Sequence, residues 1–349
     1  MQNDLDNPIT DHQRFLTRRA LFNRAGAGLG AMALASMLAE DGLCASPTNV
    51  AGLEGIQGLP HFTPKVKRII YLFQSGAPSQ VDLFDYKPNL EKLRGQELPE
   101  SARGNQRLTT MTAGQKQLQL LPAIRPFKQY GDCGMPLSSM LPHTGSIADR
   151  ICLINSMHTG AINHAPAVTF TLTGSEMPGR PSLGAWLSYG LGSLNRDLPS
   201  FVVMTSTDRE GTCGQLFFEW YWGTGFLPTK HQGVKFRAGG DPVMYISNPA
   251  GLSRSLRREL LTDVAKLNEL KYAETGDPEI QTRISQYEMA YRMQASVPDL
   301  VDLSKEPDHI IESYGPEVKR RGSFAYNCLI ARRLAERGVR FIQLMHSGW

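Results

Sequence analysis

Apolar residues concentrate in a few short runs along this chain: Val66-Lys-Arg-Ile-Ile-Tyr-Leu-Phe73, Ile151-Cys-Leu-Ile154, Phe201-Val-Val-Met204 and Val339-Arg-Phe-Ile-Gln-Leu-Met345. Runs of this length, rich in β-branched and aromatic residues, predict strands buried on both faces. Between them the spacing turns helical. Asn89 to Arg94 predicts a short helix, and Leu137 to Asp149 a longer one that leads into Ile151–Ile154 and completes a strand–helix–strand unit. Pro166 to Gly174 predicts a further helix, because proline suits a first turn and glycine a C-terminal stop. The spacing then predicts helices from Pro181 through Tyr189, over Leu252–Thr275, over Glu279–Ala295, and over Phe324–Arg337, the last stopped by Gly338. Alternation of buried-type strands with helices defines an α/β fold with a mainly parallel sheet.

Three stretches interrupt this pattern. Residues 46–64 are rich in Gly, Pro and polar residues and read as a linker, while 95–117 is polar and irregular. Residues 211–250 combine glycines with Phe217, Phe218, Trp220, Tyr221, Trp222 and Phe226. They predict a folded insertion packed over the sheet, with a lid for an apolar or sugar-like substrate as the alternative. The two amphipathic segments within 252–297 form a helical excursion at the sheet's edge, and no internal repeat is visible.

Residues 1–45 read as an address. Thr17-Arg18-Arg19-Ala20-Leu21-Phe22 has the twin-arginine signal pattern, and Ala25 to Ala39 is an uncharged run rich in Ala, Gly, Leu and Met. That run is short for a membrane span and suits a signal peptide, with cleavage near Ala45. An amphipathic helix from Thr17 is the alternative, but the run carries no stripe of charge. The expectation is a bacterial protein exported, already folded, by the twin-arginine translocation machinery to the periplasm or beyond, with no stable membrane span.

Composition adds little and excludes some classes. Over 349 residues the chain is 41% hydrophobic and 20% charged, with net charge +4. The basic residues are scattered, so no nucleic-acid partner is expected. Cys44, Cys133, Cys152, Cys213 and Cys328 lie far apart, with no CxxC pair to hold zinc. Cys152, inside an apolar run, is expected to be a small buried hydrophobe.

The polar chemistry gathers between Asn155 and Gly174, where His158, Asn163 and His164 occupy a loop between a predicted strand and a predicted helix. In open α/β sheets that junction is where ligands bind. The two histidines either serve such a site or merely hydrogen-bond loop backbone. Arg180, beside the next helix start, is a candidate oxyanion contact, or else a surface or carboxylate-paired residue. Asp82 and Asp85 either ligate a cation or cap turns. The last strand runs into His346-Ser347-Gly348-Trp349, which should open an active-site loop.

These residues resemble the family called domain of unknown function 1501, exported sulfatase-like proteins grouped with the alkaline phosphatase superfamily. The likeness is carried by QSGAPSQVDLFDYKP from Gln74, INSMHTGAINHAPAVTFTLTG from Ile154, GRPSLGAWLSYGLG from Gly179, the segment from Gly223 to Gly251, and RFIQLMHSGW from Arg340. The resemblance implies an alkaline-phosphatase-like sandwich and a sulfatase-like or phosphatase-like hydrolase of oxyanion esters, with an anionic ester as substrate. The sulfatase signature is Cys or Ser followed by x-Pro-x-Arg and a helix closed by Thr-Gly. Laid over this chain, Pro166 and Thr173-Gly174 fall in register, His164 takes the nucleophile position and Val168 the arginine position.

Formylglycine chemistry is therefore not expected. Histidine can instead attack phosphoryl groups or act as ligand and base. The resemblance makes His164 central, supported by Asn163 and His158, with Arg180 and His231 toward the substrate. It also implies a divalent metal. Family members continue past SGW with further ligand motifs, so the chain is expected to be C-terminally incomplete and to hold no two-metal site alone. The alternative is a non-catalytic exported binding or structural protein on the same fold.

Overall fold

The computed structural model describes residues 55–347, apart from 77, 106–111, 207–215, 239–240 and 245. The expected signal segment 1–45, the first part of the linker, Cys44, Cys213 and Gly348-Trp349 lie outside the described residues. In chain order the main elements are β1 (Ile69–Gln74), β2 (Phe127–Tyr130), β3 (Met135–Ser138), α1 (His164–Thr173), α2 (Leu183–Leu191), β4 (Phe201–Ser206) and β5 (Val234–Phe236). They continue through α3 (Arg254–Thr275), α4 (Pro278–Val301), α5 (Asp308–Ser313), α6 (Phe324–Glu336) and β6 (Phe341–His346).

Four strands form one parallel sheet in the order β1-β6-β4-β5, and β2 and β3 form a separate antiparallel hairpin. The mixed α/β class with a parallel sheet agrees with the hydrophobic pattern. β4 and β6 lie at its centre and are almost wholly buried. Their alternate residues feed two cores. Val202, Met204, Ile342 and Leu344 face Ile330 and Leu334 of α6 and Val297 and Leu300 of α4. Phe201, Val203, Phe341 and Met345 face Val168 and Leu172 of α1, together with Tyr221 and Trp222.

Local chemistry sets the helix ends. Ser182, Ser253, Asp277 and Ser323 cap α2, α3, α4 and α6 through side-chain oxygens that accept from backbone N–H groups. Gly174 ends α1 in the left-handed region, at φ 74°, where its N–H bonds the Phe170 carbonyl. Arg340, at the foot of β6, donates to the carbonyls of Leu191 and Gly192 at 3.1 Å each and so closes the C-terminus of α2. Among the described residues no helix is long and apolar enough to cross a membrane.

Several expectations are corrected. The Val66–Phe73 run yields β1, but at the sheet's edge rather than buried on both faces: Ile70 is 41% and Leu72 52% exposed. An apolar run does not report strand order. Ile151–Ile154 forms no ladder, and Cys152 is exposed rather than buried. The adjoining Asp149 carboxylate accepts the N–H groups of Asp132 and Cys133 at 3.1 and 2.8 Å. That clamp holds this stretch against the β2–β3 turn instead of the sheet.

The expected helix over Leu137–Asp149 is likewise broken. Leu137 belongs to β3, Pro142 starts a single turn, and a 3-10 turn covers Ala148–Arg150. Proline has no N–H to continue a helix from Ser138. The aromatic stretch does pack over the sheet, with Trp220 Nε1 donating to Thr169 Oγ1 at 3.2 Å. It also contributes β5, too short to show in the sequence pattern. Asp82 acts as a tie, accepting the Ile124 N–H at 2.8 Å, and Asp85 pairs with Lys87 at 3.0 Å.

Candidate functional site

The carboxyl end of the sheet carries a polar row that the apolar runs lead up to. Gln74, His346 and Ser206 are register partners at the ends of β1, β6 and β4, so their side chains share one face. His346 Nδ1 lies 2.7 Å from Ser206 Oγ, and that hydroxyl is also 3.3 Å from the Met345 carbonyl. Ser206 is 1% and His346 8% exposed. The Phe324 ring, in the first turn of α6, stands 4.9 Å from the imidazole. One residue on, Ser75 donates its N–H to the His346 carbonyl at 2.7 Å, and both Ser75 and Ser347 are buried. Gln74 Oε1 is buried without a hydrogen-bond partner.

This geometry divides the roles. Ser206 is too enclosed to attack a substrate and instead fixes the imidazole. Whichever of the two donates, the contact holds the ring through Nδ1. A histidine held at one nitrogen by a neighbouring group is the arrangement used for oriented bases and ligands.

The residues singled out from sequence fall in three places. His158, Asn163 and His164 share the loop that enters α1; all three are exposed, and Asn163 is its N-cap residue without a side-chain capping bond. Arg180 is exposed just before α2, where Gly225 packs against its backbone so closely that a Cβ there would lie 2.5 Å from the Arg180 carbonyl carbon.

His231 is elsewhere. Its Nδ1 lies 3.0 Å from Ser188 Oγ, which in turn lies 2.7 Å from Ser200 Oγ at the foot of β4. The length of that strand, roughly 20 Å at about 3.3 Å per residue, separates it from Ser206. Burial, seconded by the charge of Lys230, pushes the His231 pKa down to about 4. It is therefore a neutral packing group, edge-on to Tyr189.

Ser206 and Ser75 were missed by sequence reasoning. The available signal is that β1, β4 and β6 each run out into a serine: Gln74-Ser75, Thr205-Ser206 and His346-Ser347. Among the described residues no three or more His, Cys, Asp or Glu side chains converge.

The parallel sheet with helices packed on it defines an α/β protein, and its polar, histidine-bearing row lies at the carboxyl ends of the strands, where open α/β sheets generally place their ligands. The family model for "Protein of unknown function (DUF1501)" matches residues 66–349, and the chain belongs to that family. No curated protein and no solved structure matches it.

Proposed function

We propose that this protein is an exported hydrolase of oxyanion esters, sulfate or phosphate, on an alkaline-phosphatase-like variant of the α/β fold. The observation that carries the reading is the buried Ser206–His346 pair at the carboxyl end of the central strands. In this account His346 Nε2 is the proton-transferring or ligand nitrogen, and Ser206 is the positioning residue. His164, at the first position of α1, is the nucleophile or ligand, supported by Asn163 and His158, with Arg180 toward the ester's anion. The divalent metal expected from the superfamily resemblance belongs to this proposal and not to the described donor set.

A second reading, a non-catalytic exported binding protein, is favoured by one observation. His164 stands where a sulfatase carries its Cys or Ser, and its side chain is exposed, with no hydrogen bond among the described residues. A panel of aryl sulfates and aryl phosphates, assayed with divalent metals supplied, separates the two. Turnover that His164→Ala abolishes without lowering Tm supports the hydrolase. No turnover by wild type on any ester supports the binding protein.

A further inference from the structure

Beside the His346 row is a second polar feature. A small cavity of about 10 Å³ lies between the ends of β4 and β5 and the first turns of α6. Its wall is largely apolar, including Met204, Phe236 and Ile330, and its polar lining includes Asn327, Arg237 and Arg321. Asn327 is 4% exposed, and its Nδ2 has no hydrogen-bond partner. A buried N–H without an acceptor is costly, on the order of 1–3 kcal/mol, so such a group in a native structure points to a missing acceptor. The N–H groups of the α6 end do not share this need, since Tyr326 N–H bonds Ser323 Oγ and Asn327 N–H bonds the Ser323 carbonyl.

The charged side chains that line the cavity have one sign. Arg237 and Arg321 are exposed, neither is paired with a carboxylate among the described residues, and no Asp or Glu lines the cavity. The enclosed space is room for about one oxygen atom. A ligand must therefore insert a single acceptor oxygen toward Asn327 Nδ2 and leave its other oxygens at the mouth with the two guanidiniums. Guanidinium donors match the oxygens of sulfate, phosphate and carboxylate groups.

We infer that Asn327, Arg237 and Arg321 form an oxyanion-binding site for a sulfate or phosphate group. The site adjoins the His346 row, because Met204 precedes Ser206 by two residues on one face of β4. On α6, Phe324, which meets the His346 ring, lies one turn before Asn327. The anion site stands on this geometry. Taking its occupant to be the anionic group of a substrate rests on the hydrolase proposal.

Calorimetric titration of the full chain with inorganic sulfate and with inorganic phosphate tests it. Wild type is expected to bind at least one of them, and Arg237→Ala with Arg321→Ala to weaken that binding at least ~10-fold, as expected for the loss of two charge-assisted contacts. Both arginines are exposed, so the double variant keeps its fold; Asn327→Asp, which replaces the donor by a carboxylate, is expected to abolish binding. Affinity unchanged in the arginine variant, or no anion binding by wild type, overturns the site and leaves the cavity to an ordered water. Anion binding lost in the variants without turnover in any protein upholds the site and sinks the hydrolase reading. Turnover that proceeds unaltered in both variants upholds the hydrolase reading and overturns the assignment of this site to its substrate.

Discussion

Ser206 Oγ and His346 Nδ1 lie 2.7 Å apart on neighbouring central strands, in the last register row of the sheet. The pair is 140 residues apart in sequence and is brought together only by the parallel pairing of β4 with β6. Burial keeps the hydroxyl from substrate and makes it a fixed point for the ring. The consequences for this protein follow from where its histidines and arginines are enclosed and what encloses them.

The buried His231 ties stability to pH. Its folded-state pKa is depressed to about 4 from 6.5, chiefly by burial, so the unfolded chain binds the extra proton first as pH falls. The stabilisation is present above pH 6.5 and lost as pH falls from there toward 4, in total on the order of 3 kcal/mol. His231→Leu should flatten the Tm profile across that window, measured by thermal melts at half-unit pH steps. An unaltered acid-side slope would show that other groups set it.

Arg333 is buried within α6 and ties that helix to the end of α4. It donates from Nη1 to the Asp302 carbonyl at 2.7 Å and from Nη2 to the Asp299 carbonyl at 2.9 Å, with Glu306 at 3.3 Å. Arg333→Leu leaves two helix-end carbonyls short of a donor and Glu306 with Arg332 as its remaining partner. A loss of about 3 kcal/mol in chemical denaturation is expected. A loss under ~1 kcal/mol would mean that water replaces these contacts.

Export is predicted to depend on the arginine pair. Arg18→Lys with Arg19→Lys should leave precursor in the cytoplasm, because the apolar run behind the pair is otherwise only a modest signal. Cell fractionation reads the result, and undiminished periplasmic accumulation of the double variant would contradict it.

How far the sequence discloses this structure depends on the length and spacing of its apolar residues. Phe201–Met204 and Val339–Met345 are legible as central strands because both faces are buried, and α3, α4 and α6 because their periods run for several turns. Ile151–Ile154 has the same apolar content as a strand, yet the Asp149 clamp on the β2–β3 turn, a contact between distant segments, takes it away from the sheet. β5 escapes because three residues show no period. At the candidate site, His346 is visible at a strand end, whereas Ser206 and Asn327 gain meaning only from strand order and helix docking. His231 has the residue type of a site group, and only burial reveals it as a packing group.

The most direct test of the account is the turnover of an aryl sulfate or aryl phosphate by His346→Gln and Ser206→Ala, read as kcat against pH alongside Tm. Loss of an oriented proton-transferring imidazole should lower kcat by about 10²–10⁴-fold in His346→Gln. Ser206→Ala should lose on the order of 10-fold and shift the pH profile, since the ring remains but is no longer held. Both variants should remain folded, with Tm lowered by only a few degrees for the loss of one buried hydrogen bond. Full activity in His346→Gln, with wild-type pH dependence, would contradict the central claim that the chemistry runs through the histidine at the end of β6.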